Sequence, residues 1–509
     1  MAGVFSCLAI IGGAAQAVSS LVKALVYVPD TEDAPALERR FRETQMIFDF
    51  LDRDTLSEPL YLSLAAAIER EIREGRLPAG AQLPTHRAVA VHLGLSVHTV
   101  SKAYDRLRQH NLIEGHVGRG TFVVDQAMQD RPPYALRPVQ PQVCDLALSR
   151  PLFDERHDIA MRRTLREMAD TADPATILSC RPNQGRLDHR EAGVLWLSGL
   201  GLETDADRII LTNGVTHGMA AALSAVTVPG DVVLADAVTH HLVISLCRYL
   251  GLTLIGVAGD GQGMLPDALD QACRTHGPRA IVTLPTLTLP QAGVMDAQRR
   301  AEIARLASVH DLVIVENDAY APILARGPAP ITALAPERSI YLTTFTKCTV
   351  SGLRAGYMVG PAHLQSALLS RLLVFSWAAT PLVCEIAARW VRDGTAAELA
   401  QWQRDRLAER FEIVRAVLGP HGVQGHPGGL HYWLPLPEGW KARDIVRLAR
   451  DQDIALAPAD PFLTQQAPAV DAVRISVGGE PDAVLFRGAL ERLAALLSTR
   501  PEGGHPMAY

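Results

Sequence analysis

The first regular pattern of apolar and polar residues predicts three helices and a β-wing. Apolar residues recur every four positions, as on one face of an amphipathic helix, at Leu60, Leu64, Ile68 and Ile72. Thr85 and Ser96 each stand where a further helix begins, and Gly94 separates these two helices. Residues 113–124 predict two short strands around glycines. Residues 58–124 are therefore predicted to form a winged helix-turn-helix.

Beyond residue 144 the pattern changes to short apolar runs that alternate with helical stretches. These runs lie at residues 209–211, 232–234, 252–257, 280–284, 312–315 and 339–343. The alternation predicts an α/β domain with a mostly parallel sheet, and continuous apolar runs indicate that both faces of the sheet are covered. Residues 381–497 are rich in helical pattern, with a hairpin near Gly428 and Gly429. The fold class is thus an α/β main domain, residues 144–509, behind an N-terminal winged helix-turn-helix.

Two segments lack a packing pattern. Residues 125–143 hold Pro132, Pro133, Pro138 and Pro141, which is typical of a semi-extended linker. Residues 1–57 form an N-terminal extension whose residues 2–22 carry no charge and are rich in Gly, Ala and Ser. Three interpretations of it stay open: a start site misplaced upstream of Met46, a loosely ordered extension, and a membrane anchor.

The composition is typical of a globular protein without a structural metal. Of the 509 residues, 48% are apolar and 20% charged, and the net charge is −6. An overall cationic field that would attract nucleic acid is therefore missing, and any DNA affinity must be local. The seven cysteines include no Cys-x-x-Cys pair. This usage predicts a cytoplasmic protein with neither a disulfide framework nor a metal site, and we expect no membrane partner.

Residues 85–121 carry a local positive charge. Five basic residues against two acidic residues give a net charge of +3: Arg87, Lys102, Arg106, Arg108 and Arg119 against Asp105 and Glu114. The second helix of a helix-turn-helix enters the major groove with its N-terminal residues. Ser96, His98, Thr99 and Lys102 are the residues so placed here.

The flanking residues of this segment suit the DNA backbone. Thr85 and Arg87 begin the preceding helix and are placed to contact phosphates. Arg119 lies between glycines at the wing tip, which suits a minor-groove contact. Five histidines could add polar contacts: His86, His92, His98, His110 and His116. The alternative is a protein-interaction module with a mild basic bias.

Lysine is scarce, so Lys347 stands out. The chain has four lysines against 45 arginines, and Lys347 is the only lysine in residues 103–440. A lysine amine can form an imine with an aldehyde cofactor, usually pyridoxal 5'-phosphate. The hydroxyls of Thr344 and Thr346 and the guanidinium of Arg354 could hold the phosphate of that cofactor. Lys347 is the predicted catalytic lysine, with a solvated surface lysine as the alternative.

A tripeptide after the first predicted strand could also bind phosphate. Gly214, Val215 and Thr216 open a helix, and backbone N–H groups at a helix N-terminus hold phosphate groups. Such a tripeptide is otherwise an ordinary turn.

The N-terminal segment resembles the DNA-binding domain of the GntR superfamily over about 65 residues. The resemblance rests on three motifs: Leu83-Pro84-Thr85-x-Arg87, Thr99-Val100-x-x-Ala103-Tyr104 and Gly118-x-Gly120-Thr121-Phe122. It implies an operator of double-stranded DNA as a partner. Val97 stands where the family often has an arginine that reads DNA, so a different operator is implied.

The remaining chain resembles fold-type I aminotransferases, and the whole from Glu58 resembles MocR-type (GabR-like) regulators. The spacing of Lys347 and Arg354, and the strand 473–477 that holds Arg474, match the family pattern. The resemblance implies a homodimer in which Arg474 holds the carboxylate of an amine or amino-acid effector. It also implies that His240 stacks on the cofactor ring and that Tyr320 reaches its phenolic oxygen. For Arg474 a strand-end ion pair stays open.

Two positions depart from the aminotransferase pattern. Asn317 stands where a carboxylate keeps the cofactor's pyridine nitrogen protonated, and Leu289 stands where an asparagine is usual. Asp318 could replace that carboxylate only if the strand register shifted, because neighbours on a strand face opposite ways. Both departures weaken transamination more than binding.

The sequence therefore predicts a DNA-binding transcriptional regulator that senses an amino acid, an amine or pyridoxal phosphate through an aminotransferase-like domain. Its transaminase activity is expected to be weak or lost. The alternative is an active pyridoxal-phosphate-dependent aminotransferase with a vestigial DNA-binding domain.

Overall fold

The computed structural model describes residues 51–499 apart from 79, 110–111, 117–119, 125–142, 180–181, 290–291, 325 and 469. The described residues form two compact units, one within residues 1–132 and one within residues 133–509. Nearly all of the predicted linker and most of the N-terminal extension lie outside the described residues. Within the described ranges, no helix has the length and apolar character that a membrane crossing needs.

The smaller unit contains three helices and a small sheet. Its helices are α1 (Leu60–Arg73), α2 (His86–Leu93) and α3 (Val97–Gln109). Its strands are β1 (Gln82–Leu83), β2 (Ile113–His116) and β3 (Gly120–Val123), arranged in the antiparallel order β1-β3-β2. The helices and the β2–β3 wing confirm the predicted winged helix-turn-helix. Strand β1, which the pattern did not predict, extends the wing to three strands.

Local sequence explains where these helices begin and end. The hydroxyl of Thr85 accepts a hydrogen bond from the backbone N–H of Ala88 at 3.2 Å and caps α2. Gly94 ends α2 in the left-handed conformation, with φ of 60°. Tyr104 is fully buried on α3, and its hydroxyl donates to the carbonyl of Pro84 at 2.9 Å. These contacts fix α2 against α3.

The larger unit is an α/β domain. Its helices are α4 (Glu155–Thr171), α5 (Pro174–Leu178), α6 (Leu187–Ser198), α7 (Val215–Val226), α8 (His241–Tyr249), α9 (Pro266–His276), α10 (Ala297–Val309), α11 (Ile331–Leu334), α12 (Gln365–Ser376), α13 (Pro381–Arg392), α14 (Thr395–Leu418), α15 (Ala442–Arg450) and α16 (Ala483–Ser498). Its strands are β4 (Cys144–Asp145), β5 (Ile209–Thr212), β6 (Val232–Asp236), β7 (Thr253–Val257), β8 (Gly259–Asp260), β9 (Gly263–Met264), β10 (Ala280–Thr283), β11 (Val313–Asn317), β12 (Ser339–Thr344), β13 (Gly356–Val359), β14 (His431–Pro435), β15 (Ile454–Ala455), β16 (Ala457–Pro458) and β17 (Ala472–Ser476).

A seven-stranded sheet forms the centre of this unit, in the order β5-β13-β12-β11-β10-β6-β7. The six predicted strands are present, and only β13 runs antiparallel to its neighbours. Strand β13 was not predicted, because its four residues begin with Gly356. Adjacent residues of β11 show that both faces are covered: Val315 packs with α7 and α12, and Ile314 packs with α9 and α10.

The C-terminal part carries a second, antiparallel sheet in the order β14-β17-β16. The register places Trp433 opposite Arg474 and His431 opposite Ser476. Strand β4 pairs in parallel with β15, through Cys144 and Ile454. The start of the larger unit is thus joined to its C-terminal part, close to Arg474.

Candidate functional site

Lys347 lies in the turn directly after β12, where the chain leaves the edge of the central sheet. Its Nζ donates a hydrogen bond to the backbone carbonyl of Ser149 at 2.7 Å and lies 5.6 Å from the centre of the Tyr320 ring. The side chain is half-buried. Burial lowers the pKa of Lys347, and the positive charges of Arg474 and Arg354 lower it further while Tyr320 opposes them. A larger fraction of this amine is therefore neutral and nucleophilic than in a solvated lysine.

The end of β11 brings Asn317 and Tyr320 to the same edge of the sheet. Both side chains are buried, and Asn317 Oδ1 accepts a hydrogen bond from the backbone of Ala319 at 3.3 Å. The ring of Tyr320 lies 5.8 Å from the ring of His431. Tyr320 thus lies between Lys347 and the second sheet.

Asp318 is engaged elsewhere. Its carboxylate accepts a hydrogen bond from the hydroxyl of Tyr341 at 3.1 Å. Burial raises the pKa of Asp318. Glu316, two residues earlier on the chain, accepts hydrogen bonds from the N–H groups of Ile331 at 2.8 Å and Thr332 at 2.7 Å. The carboxylate of Asp318 is therefore held by Tyr341. The position at which the family has a carboxylate is filled by Asn317.

Gly214 and Arg354 form a cradle at the N-terminus of α7. Gly214 is the N-cap with φ of 79°, a conformation that favours glycine. A Cβ at this position would lie 3.2 Å from Nη2 of Arg354, so the guanidinium lies directly against the helix N-terminus. The backbone N–H groups of Val215 and Thr216 belong to the first turn, where α-helical partners are missing. Guanidinium and helix N-terminus together are the donor set that binds a phosphate.

The cradle is supported from behind by residues that sequence reasoning missed. The backbone N–H of Asn213 donates to Nδ1 of His217 at 3.1 Å. Nε2 of His217 lies 3.0 Å from the hydroxyl of Ser376. The side chain of Asn213 accepts a hydrogen bond from the N–H of Thr380 at 2.9 Å. The turn that positions Gly214 is therefore tied to the end of α12.

Thr344 and Thr346 use their hydroxyl groups within the loop. Their Oγ1 atoms are 2.9 Å apart, and Thr344 donates to the carbonyl of Ala355 at 2.9 Å. Since the hydrogen of Thr344 is used in that bond, the hydrogen between the two hydroxyls comes from Thr346. The predicted phosphate contacts of these threonines require this pair to open.

His240 begins α8 as its N-cap, with Nδ1 accepting from the N–H of Leu242 at 3.2 Å. The ring stacks on His241 with 4.4 Å between centroids. Burial lowers the pKa of His240 well below its ordinary value, and the charges of His241, Lys347 and Arg474 act in the same direction. His240 is therefore neutral, with one ring face already covered.

Arg474 points from β17 towards the same region. Nη2 donates to the carbonyl of Ala147, and Cζ lies 4.6 Å from the centre of the Phe462 ring. Leu289 is buried in an apolar cluster with Phe462 and Trp433, where the family has an asparagine. The guanidinium of Arg474 thus lies against the ring of Phe462, in the cluster that contains Leu289, whose side chain cannot donate a hydrogen bond.

Four contact residues of this site were not predicted: Ala147, Ser149, His431 and Phe462. Ala147 and Ser149 act through backbone carbonyls, which leave no signature in a sequence. His431 is fully buried on β14. Its register opposite Ser476 brings it near Arg474, and pairing register was not predicted.

One cluster in the described chain has the composition of a metal site. Ligand atoms of Asp188, His189 and Glu385 lie within 4.8 Å of one another. Glu385 is bound by Nε2 of His189 at 2.8 Å and by Arg389 at 2.5 Å, and Arg186 donates to Asp188 at 3.1 Å. The carboxylates are already neutralised by arginines, so the cluster is an ion-pair network.

The smaller unit exposes the start of its helix α3. The hydroxyl of Ser96 accepts from the N–H of Thr99 at 3.0 Å and so caps the helix, and it lies 2.8 Å from the hydroxyl of Thr99. His98 and Lys102 are exposed, and Nζ of Lys102 lies 5.8 Å from the ring of Tyr61. The predicted major-groove residues therefore share the first turns of one exposed helix.

The other predicted DNA contacts divide into three groups. Thr85 and Arg87 are exposed at the start of α2. Arg119 lies outside the described residues. His86 turns inward: its Nδ1 lies 3.2 Å from the hydroxyl of Ser101 and its ring packs edge-on against Tyr104. The side chain of His86 thus joins α2 to α3, and its contact with DNA stays a prediction.

A lysine directly after β12, a guanidinium against the N-terminus of α7 and a second arginine on the antiparallel sheet are held by a seven-stranded, mostly parallel sheet, the arrangement of a fold-type I aminotransferase fold. Residues 141–493 match the family described as aminotransferase class I and II. The chain belongs to this family. Residues 60–123 match the bacterial regulatory proteins of the gntR family. The MocR-type arrangement expected from the sequence, a GntR-type segment in front of an aminotransferase domain, is confirmed.

Two proteins named as HTH-type transcriptional regulators match most of this chain. The chain is 25% identical over 425 residues to the uncharacterized HTH-type transcriptional regulator YdeF of Bacillus subtilis, covering 83% of this chain and 91% of the relative. It is 26% identical over 379 residues to the HTH-type pyridoxine biosynthesis transcriptional regulator PdxR of Corynebacterium glutamicum, covering 72% and 81%. The crystal structure of an archaeal alanine:glyoxylate aminotransferase superposes with a TM-score of 0.65 at 21% identity, over 77% of this chain and 98% of that one. The last similarity shows the fold.

Proposed function

We propose that this chain is a DNA-binding transcriptional regulator that attaches pyridoxal phosphate to Lys347 and responds to an amine, an amino acid or the cofactor itself. One observation carries the proposal. The same chain holds an exposed helix with the GntR pattern and a half-buried lysine amine whose surroundings lower its pKa. The relatives named as HTH-type transcriptional regulators support it.

The residues at the site fit pyridoxal phosphate. When bound, the cofactor supplies an electrophilic carbon that accepts amines. Lys347 offers a partly neutral amine, and Arg354 with the N-terminus of α7 offers phosphate donors. Tyr320 offers a hydroxyl for the phenolic oxygen, and Arg474 offers a guanidinium for the carboxylate of an amino acid. Each group is held by an element of the fold, and Lys347 and Arg474 exchange a backbone carbonyl for the ligand.

The same residues favour sensing over turnover. Asn317 carries no negative charge that would keep the pyridine nitrogen protonated as a carboxylate does, so the cofactor ring would withdraw electrons less well. Leu289 removes a donor at the phenolic oxygen. An active aminotransferase with a vestigial DNA-binding domain is therefore the second candidate. Steady conversion of an amino acid and a keto acid, lost in Lys347→Ala, would favour that candidate.

Cofactor occupancy is itself a candidate signal. The relative PdxR is named a pyridoxine biosynthesis transcriptional regulator, so pyridoxal phosphate is the first ligand to test. A response of DNA affinity to pyridoxal phosphate alone identifies the cofactor as the signal. A response that also needs an added amino acid identifies the cofactor as a sensor for amines.

The functional form is proposed to be a cytoplasmic homodimer. Apolar side chains are exposed along α5, the end of α12 and the start of α13: Leu178 at 82%, Val374 at 78%, Trp377 at 50% and Leu382 at 39% exposure. These segments are neighbours, because Nδ2 of Asn183, just beyond α5, donates to the carbonyl of Trp377 at 2.7 Å. A second copy of the chain would cover this face and pair two DNA-binding units.

Fluorescence anisotropy with tiled DNA from around the chain's own gene tests the proposal. We expect one fragment to bind specifically, and Arg87→Ala to weaken that binding and reduce the slope against log salt by about 0.9. Arg487→Ala, which removes an exposed arginine of the other unit, is the matched control and should bind normally. Failure of every fragment to bind, with and without pyridoxal phosphate, would overturn the regulator.

A further inference from the structure

A short segment at the start of the larger unit runs between the two cations of the candidate site. We name residues 145–150 the strap. Its first part is held by backbone pairing, since the N–H of Leu146 donates to the carbonyl of Ala455 at 2.9 Å. The carbonyl of Leu146 accepts from the N–H of Ser476 at 2.7 Å. The strap is thus bonded on both sides to the C-terminal part of the unit.

The next carbonyls of the strap bind the functional cations. The carbonyl of Ala147 accepts from Nη2 of Arg474, and the carbonyl of Ser149 accepts from Nζ of Lys347 at 2.7 Å. Hydrogen bonds from ionised donors are stronger than neutral ones. The two side chains proposed to hold the effector and the cofactor therefore also hold the strap.

The shape of the strap depends on one side chain outside the binding site. Oδ1 of Asp145 accepts from the N–H of Ala147 at 3.0 Å and of Leu148 at 3.2 Å, which forms a turn. This turn directs the carbonyls that follow it. At the other end, Arg150 donates to the carbonyl of Gly479 at 2.7 Å.

Close contact with the neighbouring backbone requires glycine. A Cβ on Gly479 would lie 1.5 Å from the carbonyl oxygen of Asp145. No side chain fits there without displacing the strap. Gly479→Ala therefore displaces the strap while Lys347 and Arg474 stay in the chain.

Ligands compete with the strap for both cations. A carboxylate is a better acceptor than a backbone carbonyl, so an amino acid held by Arg474 weakens the bond to Ala147. When the neutral amine of Lys347 condenses with an aldehyde, both of its hydrogens leave with the carbonyl oxygen as water, and the unprotonated C=N nitrogen has no hydrogen to donate to Ser149. Both binding events act on the same segment.

We propose that the strap is the element that transmits occupancy of the site to the DNA-binding unit. This proposal rests on the proposed function, and it names the segment through which the signal passes from the site to the DNA-binding unit. Residues 125–143, the predicted linker, lead from the wing directly into the strap. Release of the carbonyls of Ala147 and Ser149 frees the strap, which follows that linker in the sequence. The ligand shifts the equilibrium towards the released strap, because it can bond to Lys347 and Arg474 only when their bonds to the strap are broken.

Hydrogen exchange on the wild-type full chain is the first test. We expect the backbone amides of residues 144–150 to exchange at least about threefold faster after addition of pyridoxal phosphate and L-alanine, because the turn opens. Amides of β11 serve as the internal control and should stay unchanged. Unchanged or slower exchange in residues 144–150 would overturn the strap as the released element.

Substitutions at Asp145 test transmission to DNA. We expect Asp145→Ala to bind pyridoxal phosphate and DNA but to lose the change in DNA affinity that the wild type shows on addition of pyridoxal phosphate and L-alanine. Asp145→Asn keeps Oδ1 as an acceptor and should keep that change. Gly479→Ala, which perturbs the strap by a different contact, should behave as Asp145→Ala does.

The outcomes separate the two proposals. A wild type that binds no DNA, or that binds it equally with and without these probes, overturns the proposed function and the strap with it. If the DNA affinity of the wild type changes with the probes and that of Asp145→Ala and Gly479→Ala changes equally, the role of the strap is overturned and the proposed function is not. Loss of the response in both variants, with the spectrum of bound pyridoxal phosphate retained, is the expected result.

Discussion

The guanidinium of Arg354 lies against the α-carbon of Gly214, where an added Cβ would be 3.2 Å from Nη2 and 3.4 Å from Cζ. The absence of a side chain at Gly214 therefore determines how closely the guanidinium approaches the N-terminus of α7. A phosphate held by both groups needs that approach. We predict that Gly214→Ala weakens the binding of pyridoxal phosphate by about tenfold, or about 1.4 kcal/mol, in an absorbance titration.

The control for this substitution is Gly230→Ala. Gly230 also has a positive φ, 98°, but nothing lies within 4 Å of its Cβ position. Both variants carry the same kind of backbone strain, which costs about 1 kcal/mol. Equal cofactor affinity in the two variants would show that the cradle does not bind the phosphate.

Attachment of the cofactor should extend to lower pH than an ordinary lysine allows. Burial lowers the pKa of Lys347 from its ordinary 10.5, with the charges of Arg474 and Arg354 acting in the same direction. The rate of reaction with pyridoxal phosphate should therefore reach half its maximum below pH 10.5. Arg474→Gln removes one positive charge and should move this midpoint upward. A midpoint that stays in place would show that Arg474 does not act on the amine.

Asn317→Asp should increase transamination. A carboxylate at this buried position would keep the pyridine nitrogen protonated and let the ring withdraw electrons. We expect the first half-reaction with an amino acid, followed by stopped-flow absorbance, to become at least about tenfold faster, or about 1.4 kcal/mol in barrier. Asp318→Asn is the comparison, since its carboxylate bonds to Tyr341 and its loss should not increase the rate. If Asn317→Asp reacts no faster than the wild type, the pyridine nitrogen does not lie beside residue 317.

The network around Glu385 should stabilise the larger unit in a pH-dependent way. Hydrogen bonds from His189 and Arg389 lower the pKa of Glu385 from 4.5 to about 2. As the pH falls below 4.5, Glu385 binds a proton in the unfolded chain before it does so in the folded chain. The contribution of Glu385 to the free energy of unfolding is therefore complete above pH 4.5 and is lost as the pH falls towards 2. Glu385→Gln should lower the free energy of unfolding at pH 7 by about 2 kcal/mol, since bonds to charged groups contribute about 1.5–3 kcal/mol each.

Urea unfolding at pH 7 and pH 3 measures this effect. The difference between wild type and Glu385→Gln should shrink at the lower pH. Glu398→Gln, which changes an exposed carboxylate on α14, is the control and should have a small effect at both values. A difference that is independent of pH would show that the charge of Glu385 is not what stabilises the fold.

Local patterns predicted most of the fold. Apolar runs located six strands of the central sheet, and helix caps such as Thr85 and Ser96 located the helix-turn-helix. Short elements were missed where pairing, and not pattern, creates them: β1 forms a strand only because Gln82 pairs with Phe122 on the wing. Strand β13 was missed because it begins with Gly356, and glycine is unfavourable in a strand.

The candidate site was predicted where chemistry resides in side chains and missed where it resides in the backbone. Lys347, Arg354 and Gly214 carry distinct chemistry, and the structure brings the latter two into contact. The carbonyls of Ala147 and Ser149 could belong to any residue type, so no sequence pattern predicts their bonds to Arg474 and Lys347. The hydrogen bond between the hydroxyls of Thr344 and Thr346 depends on the geometry of the loop, so the sequence did not predict it either.

The attachment of pyridoxal phosphate to Lys347 is the central claim, and reduction with borohydride followed by peptide mapping tests it most directly. The purified chain is mixed with pyridoxal phosphate, reduced, digested and analysed by mass spectrometry, with Lys102 and Lys441 as internal comparisons. The account predicts a pyridoxyl label concentrated on the peptide of Lys347, together with a visible absorbance band that is absent in Lys347→Ala. A label spread evenly over the lysines, or absent from Lys347, would contradict it.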